Sequence, residues 1–388
     1  MFMSGVSTDL AVSHCFKRID VYGEQMKSSQ NGRLLLTIDD FRQEAELKLP
    51  TIAKHYYEAG ANEELTKKRN EEAFRSRLLI RPRCLRDVSK PNTTVEWFGR
   101  QHSFPIGIAP TAFHRMAEKD GELSTVKDNE NSVLGRHLGA SMAESVMIVS
   151  SWSTTSIEDI AKHASGDNVE LWFQLYIYKE RSISTQLVNR AEKSGYKALV
   201  LTVDTPVLGR RLIDERNGFS LPDGLSQIDP TLDWSVVEHL LKTTKLPVIV
   251  KGVMRGDDAI RAVELGVHGI IVSNHGGRQM DSAPATIEVL PEVAKAVRGK
   301  IPIFIDGGIR NGRDIFKSIA LGANGVFVGR PILWGLSVEG SQGVAKVLQI
   351  LQCELTHTMQ LAVPGFSSIG EIQNCSDTVV HNNHYAKI

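Results

Sequence analysis

The sequence predicts an α/β protein built as a TIM-type (β/α)8 barrel with an N-terminal helical extension. Three observations carry this. Eight short apolar runs rich in Ile and Val recur from residue 106 onward. Each is followed by polar or Gly-rich residues and then a helical pattern, the rhythm of parallel strands buried on both faces. No Gly-x-Gly-x-x-Gly follows the first run, and a doubly wound sheet rarely needs eight such units, so a closed barrel is expected.

The runs are Ile106–Ala109, Val146–Ser150, Leu171–Tyr176, Ala198–Asp204, Pro247–Gly252, Gly269–Asn274, Pro302–Asp306 and Val326–Gly329. Ahead of them, Thr37 opens a helix over Ile38–Lys48, with acids in its first turn and Pro50 beyond its end. A second helical stretch starts near Thr51, carries His55, Tyr56 and Tyr57, and breaks at Gly60. Residues 1–34 are polar and irregular and are expected as a poorly ordered arm. Residues 35–375 are read as the barrel domain and residues 376–388 as a C-terminal tail.

Composition narrows the function. A chain of 388 residues with 41% hydrophobic content can bury a large core. Lys plus Arg balance Asp plus Glu at 45 each, and no basic segment stands out, so no nucleic-acid partner is expected. No apolar run reaches membrane-spanning length, and no signal-peptide core precedes Arg33. Cys15, Cys84, Cys353 and Cys375 form no Cys-x-x-Cys pair, so neither a disulfide framework nor a metal site is expected. The last three residues, Ala386-Lys387-Ile388, read either as a relaxed Ser-Lys-Leu peroxisomal address or as a chance tail.

A barrel places its chemistry where strands end and loops begin. The sixth run ends in Ser273-Asn274-His275-Gly276-Gly277-Arg278. There a base stands three residues from a cation that can grip a carboxylate through two parallel hydrogen bonds. Asp204 ends the fourth run; it can orient His275 or simply cap a turn with Thr205 and Pro206. Arg210 and Arg211 offer a second carboxylate clamp or a solvated face. Lys251 ends the fifth run, and a lysine there needs a ligand or an ion partner. Asp306-Gly307-Gly308-Ile309-Arg310 and Gly329-Arg330 end the last two runs, the usual phosphate cradle of a barrel. Trp152 and Tyr176 line a pocket or belong to the core. Tyr56, on a helix outside the barrel, caps its mouth or merely packs.

Together the segments PTAFHRMAEKDGE, SSWSTTSIEDIA, WFQLYIYK, LTVDTPVLGRRL, VIVKGV, SNHGGRQMDSAPATIEVLPEV and IDGGIRNGRDIFKSIALGANGVFVGRPILWGL resemble the FMN-dependent 2-hydroxy-acid oxidising family, which includes glycolate oxidase. The resemblance spans roughly residues 38 to 375. It implies oxidation of a small L-2-hydroxy acid to the 2-oxo acid with oxygen as acceptor, hydrogen peroxide as product, and a tetramer as the assembly. It implies His275 as base with Asp204 supporting it, Arg211 and Arg278 on the substrate carboxylate, and Tyr56, Tyr176 and Trp152 around the substrate. It implies FMN held at the ends of the first three runs by Pro110, Thr111, Ala112, Ser150, Gln174 and Tyr176. Thr202, Lys251 and Ser273 continue that contact, with Asp306 to Arg310, Gly329 and Arg330 at the phosphate. The same residues are compatible with a dehydrogenase using another acceptor, with a different FMN barrel, or with a flavin binder that has lost turnover.

Two departures from the resembled pattern concern the loops. About a dozen extra residues are expected around Lys127 to Leu138. The stretch from Asn217 to Trp234 is much shorter than the family's covering loop, which points to a more open mouth.

Overall fold

The computed structural model describes residues 34–82, 88–127, 145–166, 169–222, 227–362 and 368–384. Eight parallel strands close into a barrel: β1 (Ile106–Ile108), β2 (Val146–Val149), β3 (Glu170–Leu175), β4 (Ala198–Thr202), β5 (Val248–Val253), β6 (Gly269–Val272), β7 (Ile303–Ile305) and β8 (Gly325–Val328). Every predicted run supplies one of them. Both faces of these strands are buried, which is why the runs carry no polar alternation.

The barrel interior is filled by Trp172, Ile249, Ile271, Phe304 and Phe327 among others, with Trp97 joining them. Trp97 comes from a hairpin of Val95–Trp97 and Arg100–His102 that precedes β1 and closes the barrel floor. Its indole needs the space that Gly325 leaves: a Cβ at Gly325 would stand 2.2 Å from Trp97 Cζ2. A second addition to the predicted plan is the antiparallel pair of Leu78–Ile80 with Val379–His381. The C-terminal segment read as a tail is thus built into the fold at residues 379–381.

The N-terminal extension forms α1 (Ile38–Lys48), α2 (Thr51–Glu58) and α3 (Leu65–Glu72). Thr37 caps α1 through a reciprocal capping box with Asp40. Residues 1–33 and the expected extra residues beyond Lys127 lie outside the described residues, as does Ala386-Lys387-Ile388. Among the described residues no helix is long and apolar enough to cross a membrane.

Candidate active site

The strand ends and the last turn of α2 enclose an open cleft of about 1040 Å³. Its wall contains Pro110, Thr111 and Ala112 after β1, Ser150 and Trp152 after β2, and Gln174 and Tyr176 at the end of β3. Thr202, Arg211 and Lys251 follow, then His275 and Arg278, the 306–310 loop, Gly329, Arg330 and Tyr56. Two predicted residues stand behind the wall. Ser273 is fully buried; its Oγ accepts hydrogen bonds from Lys251 Nζ (2.9 Å) and the His275 amide (3.1 Å). Asp204 also lies outside the lining but reaches it through His275.

The loop after β6 explains its own motif. His275, Gly276 and Gly277 all take left-handed backbone conformations, which curls the chain back and turns His275 and Arg278 into the cleft. A Cβ on Gly277 would stand 2.5 Å from Lys67 N, so α3 packs directly on this turn. The intervening polar residues fasten it. Asn274 exchanges side-chain hydrogen bonds with Asn70 of α3 (2.9 and 2.8 Å). Gln279 donates to the carbonyls of Asp204 and Val207 (3.0 and 2.9 Å), sewing the loop after β4 to this one. Asp281 accepts from the amides of Glu63 and Thr66 (3.1 and 2.8 Å).

His275 Nδ1 lies 2.9 Å from Asp204 Oδ1, which also accepts from Thr205 Oγ1 at 2.8 Å. The cap reading and the orienting reading of Asp204 are therefore both realised in one carboxylate. Burial holds the imidazole below the ordinary histidine range; Asp204 opposes that shift, and the Lys251 and Arg211 cations reinforce it. The carboxyl of Asp204 is kept low: burial alone would raise it, but His275 and Lys251 outweigh burial. Both shifts favour a neutral imidazole bonded through Nδ1 to a carboxylate, with Nε2 turned away from Asp204.

The two adjacent arginines separate cleanly. Arg210 is exposed and paired with Glu215 at 2.8 Å. The Arg211 side chain is 9% exposed, lies over the Tyr56 ring and stands 3.8 Å from Asp214 through Nη1, while its Nε has no hydrogen-bond partner. Burial and the neighbouring Arg278 bring Arg211 down to about 10. Arg278 also lies over the Tyr56 ring, 4.9 Å from its centre, and donates through Nη1 to the carbonyls of Tyr56 and Ala59 (2.7 and 2.9 Å). Arg330 grips the same turn, donating to the carbonyls of Tyr57 and Ala59 (2.9 and 3.1 Å). These carbonyls end α2 and would otherwise lack intrahelical donors.

Lys251 has the ion partner its position required: Asp306 Oδ2 at 3.2 Å. Burial alone would lower this lysine, but Asp306 and Asp204 raise it, so it stays charged. Gln174 is locked in one orientation, accepting from the Ser151 amide (3.0 Å) and donating to Thr202 Oγ1 (3.1 Å). The wall therefore gathers Lys251, Arg211, Arg278, Arg310 and Arg330 around a cleft to which Asp306 is the carboxylate contributed by the lining. Such a wall suits a ligand carrying phosphate and carboxylate charge.

The sequence family described as FMN-dependent dehydrogenase matches residues 45–227 and 225–378. The chain belongs to the FMN-dependent dehydrogenase family. A 2-hydroxyacid oxidase of Dictyostelium discoideum is 44% identical, covering 94% of this chain and 95% of that protein. 2-Hydroxyacid oxidase 1 of Homo sapiens is 43% identical over 84% of this chain and 93% of that one. A crystal structure of mandelate oxidase with (S)-2-phenylpropionate matches with a TM-score of 0.79 at 36% identity, covering 90% of this chain and 98% of that chain.

FMN is the cofactor of this FMN-dependent dehydrogenase family member, and the cleft fits it. Arg310 Nε is buried without a partner beside the Gly307-Gly308 turn. Gly329, in the lining, has nothing nearer than Thr111 Cγ2 at 3.4 Å where a Cβ would stand. Gly329 also precedes the helical segment Arg330–Ala362, which kinks at Glu339-Gly340 and whose first turn presents amide dipoles to an anion.

Several lining residues of this family member escaped the sequence reading: Tyr57, Leu208, Phe327, Val328 and Leu333. Leu208 follows Pro206-Val207 in a loop with no periodicity to mark it. Gly252 was also passed over. It sits directly after Lys251 at φ +115°, and a Cβ there would stand 2.6 Å from Asp204 Cβ. A glycine inside an apolar strand run is the pattern that marks such a close approach. Described parts of the short loop after β4 pack beside the site. Phe219 packs on Tyr56 with ring centres 4.9 Å apart, and Ile228 is buried beside Tyr178. Among the described residues no His, Cys, Asp and Glu cluster could hold a metal.

Proposed function

We infer that the protein oxidises a small L-2-hydroxy acid to the corresponding 2-oxo acid, with oxygen as acceptor and hydrogen peroxide as product. The observation that carries this reading is one imidazole, backed by a carboxylate at 2.9 Å, sharing a cleft with two guanidinium groups.

The substrate carboxylate docks between Arg211 and Arg278, where the unpartnered Arg211 Nε supplies a donor. Tyr56 lies under both guanidinium groups and shields them from water. Carboxylate binding places the carbinol group against His275, whose Nε2 accepts a proton from it. Asp204 fixes the tautomer through Nδ1–H and stabilises the imidazolium that results. FMN, when bound, supplies the two-electron acceptor that oxygen later restores. Pro110, Thr111, Ala112, Ser150, Gln174, Tyr176 and Thr202 form the wall for its ring system, with Ser273 buttressing Lys251. Lys251 places a fixed positive charge against that wall, favouring added negative charge there. Gly307, Gly308, Ile309, Arg310, Gly329 and Arg330 hold its phosphate, and Asp306 keeps Lys251 charged.

A peroxide-producing activity also favours reading Ala386-Lys387-Ile388 as a peroxisomal address. The test is an absorbance spectrum of the purified protein followed by anaerobic titration with a panel of 2-hydroxy acids. Bleaching of the flavin bands by a 2-hydroxy acid, and stoichiometric peroxide in air, are expected. Rapid dye reduction with negligible peroxide would replace the oxidase reading with a dehydrogenase; a yellow protein that never bleaches would leave a flavin binder.

A further inference from the structure

The two arginines of the phosphate cradle are held differently. Arg330 donates from all three guanidinium nitrogens to backbone carbonyls: Nε to Tyr57, Nη1 to Gly276 and Nη2 to Ala59 (2.9, 3.0 and 3.1 Å). Arg310 is held by its two outer nitrogens alone. Its Nη1 donates to the Ile309 carbonyl at 2.8 Å and its Nη2 to Glu71 Oε1 at 2.9 Å, while the buried Nε has no partner. A guanidinium is planar, so fixing both outer nitrogens also fixes the direction of the Nε–H bond.

Glu71 comes from α3, 239 positions before Arg310. It belongs to a knot of charge to which all three leading helices contribute. Arg42 of α1 stands 3.8 Å from Glu71 Oε2 and 3.1 Å from Glu58, the last residue of α2. Trp334 joins them: its indole donates to Glu58 Oε1 at 2.9 Å, and both Arg42 and Arg310 lie over its ring, 5.4 and 5.0 Å from the centre. The side chain of Arg310 is 7% exposed and that of Glu71 18%. A charge-assisted hydrogen bond so shielded from water is strong and directional. A carboxylate beside an anion site would by itself oppose the anion. Here Arg42 offsets part of that charge, so the orientation given to Arg310 outweighs the repulsion.

We propose that Glu71 is a positioning residue for the cofactor: it turns the Arg310 guanidinium so that Nε–H is left for the FMN phosphate. The tightness with which FMN is held, and not that of its ring system alone, then depends on a helix outside the barrel. The proposal rests on the reading that Arg310 holds the phosphate and deepens it.

The experiment strips FMN from the full chain and retitrates it with FMN and with riboflavin, which has the ring system and no phosphate, following the quenching of flavin fluorescence. Glu71→Ala should raise the Kd for FMN by about tenfold, the scale of one charged hydrogen bond, and leave that for riboflavin unchanged. Glu71→Gln, which keeps an acceptor oxygen, should raise it by about threefold, since a neutral hydrogen bond is roughly half as strong. In an Arg310→Lys background, which has no guanidinium fork, Glu71→Ala should weaken FMN no further. Tighter FMN binding in either variant, or an equal loss in the Arg310→Lys background, would overturn the proposal. Loss of both ligands in Glu71→Ala would mark a folding failure, and Glu71→Gln then decides: an equal loss of FMN and riboflavin there would overturn the proposal as well. An Arg310→Lys chain that still prefers FMN over riboflavin as strongly as the parent would instead defeat the phosphate reading of Arg310 itself.

Discussion

Gly252 and Asp204 occupy one space: a Cβ on Gly252 would lie 2.6 Å from Asp204 Cβ and 2.8 Å from Asp204 N. The strand carrying Lys251 therefore gives up a side chain so that the carboxylate behind His275 can stand where it does. Gly252→Ala should shift Asp204, misalign the imidazole and lower turnover by roughly 10²-fold, the scale of a misplacement near 1 Å. FMN content should persist. Turnover and FMN stoichiometry measured together check this, and parent-like turnover would show that Asp204 has no positional role.

His275→Gln should retain FMN, since the phosphate residues lie on other loops. Flavin reduction by the acid substrate, followed by stopped flow, should slow by at least ~10²-fold. The same imidazole sets the acid limb of kcat/KM. Its pKa is depressed, chiefly by burial, so the neutral, proton-accepting form persists below the ordinary histidine value. Activity should be full above that value and fall only as pH drops beneath it; a limb well above it would assign the titration elsewhere.

Arg210 and Arg211 differ in consequence although they are neighbours. Arg210→Ala removes an exposed pair with Glu215 and should leave KM within about twofold. Arg211→Lys replaces a buried fork with a point charge and should raise KM roughly 10- to 100-fold, the range of a charged hydrogen bond lost. Steady-state kinetics on the two variants settle the assignment, and equal effects would remove Arg211 from the carboxylate clamp.

The barrel floor predicts an acid sensitivity separate from catalysis. His102 is 2% exposed, lies 4.9 Å from the Trp97 ring, and its Nε2 has no partner. Burial, with Arg100 adding to it, lowers its pKa to about 4. The folded state keeps His102 neutral while the unfolded chain protonates near 6.5. Its stabilisation is therefore complete above 6.5 and lost progressively as pH falls toward 4, by about 2 kcal/mol at pH 5. His102→Gln should shrink the loss of stability between pH 7 and pH 5 by that amount in denaturant titrations. An unchanged loss would place the proton uptake on another group.

The barrel was legible because each strand is buried on both faces and each is punctuated by polar residues at its end. The pairs that frame it were not. Val95–Trp97, Arg100–His102, Leu78–Ile80 and Val379–His381 are three residues each, too short for a period to register. Within the site, the charged residues that share the cleft were readable from their places at strand ends and in the loops that follow. What escaped were Gly252, Gln279, Leu208 and Tyr178, whose importance lies in what touches them across 26 to 75 positions of chain. Asp204 illustrates the boundary: its local hydrogen bond to Thr205 is a turn cap, and only the fold brings His275 to the same oxygen. Loop length alone points to an open mouth, while the side-chain packing of Phe219 on Tyr56 and of Ile228 beside Tyr178 depends on the fold.

The carbonyls of Tyr56, Tyr57 and Ala59 are gripped by Arg278 and Arg330, the very arginines that face the cleft. A trimmed version of this protein beginning at the first barrel strand would strip both guanidinium groups of those acceptors at once. The leading helices are accordingly part of the smallest working enzyme, and any attempt to transplant the barrel or shorten the chain for expression must carry them along.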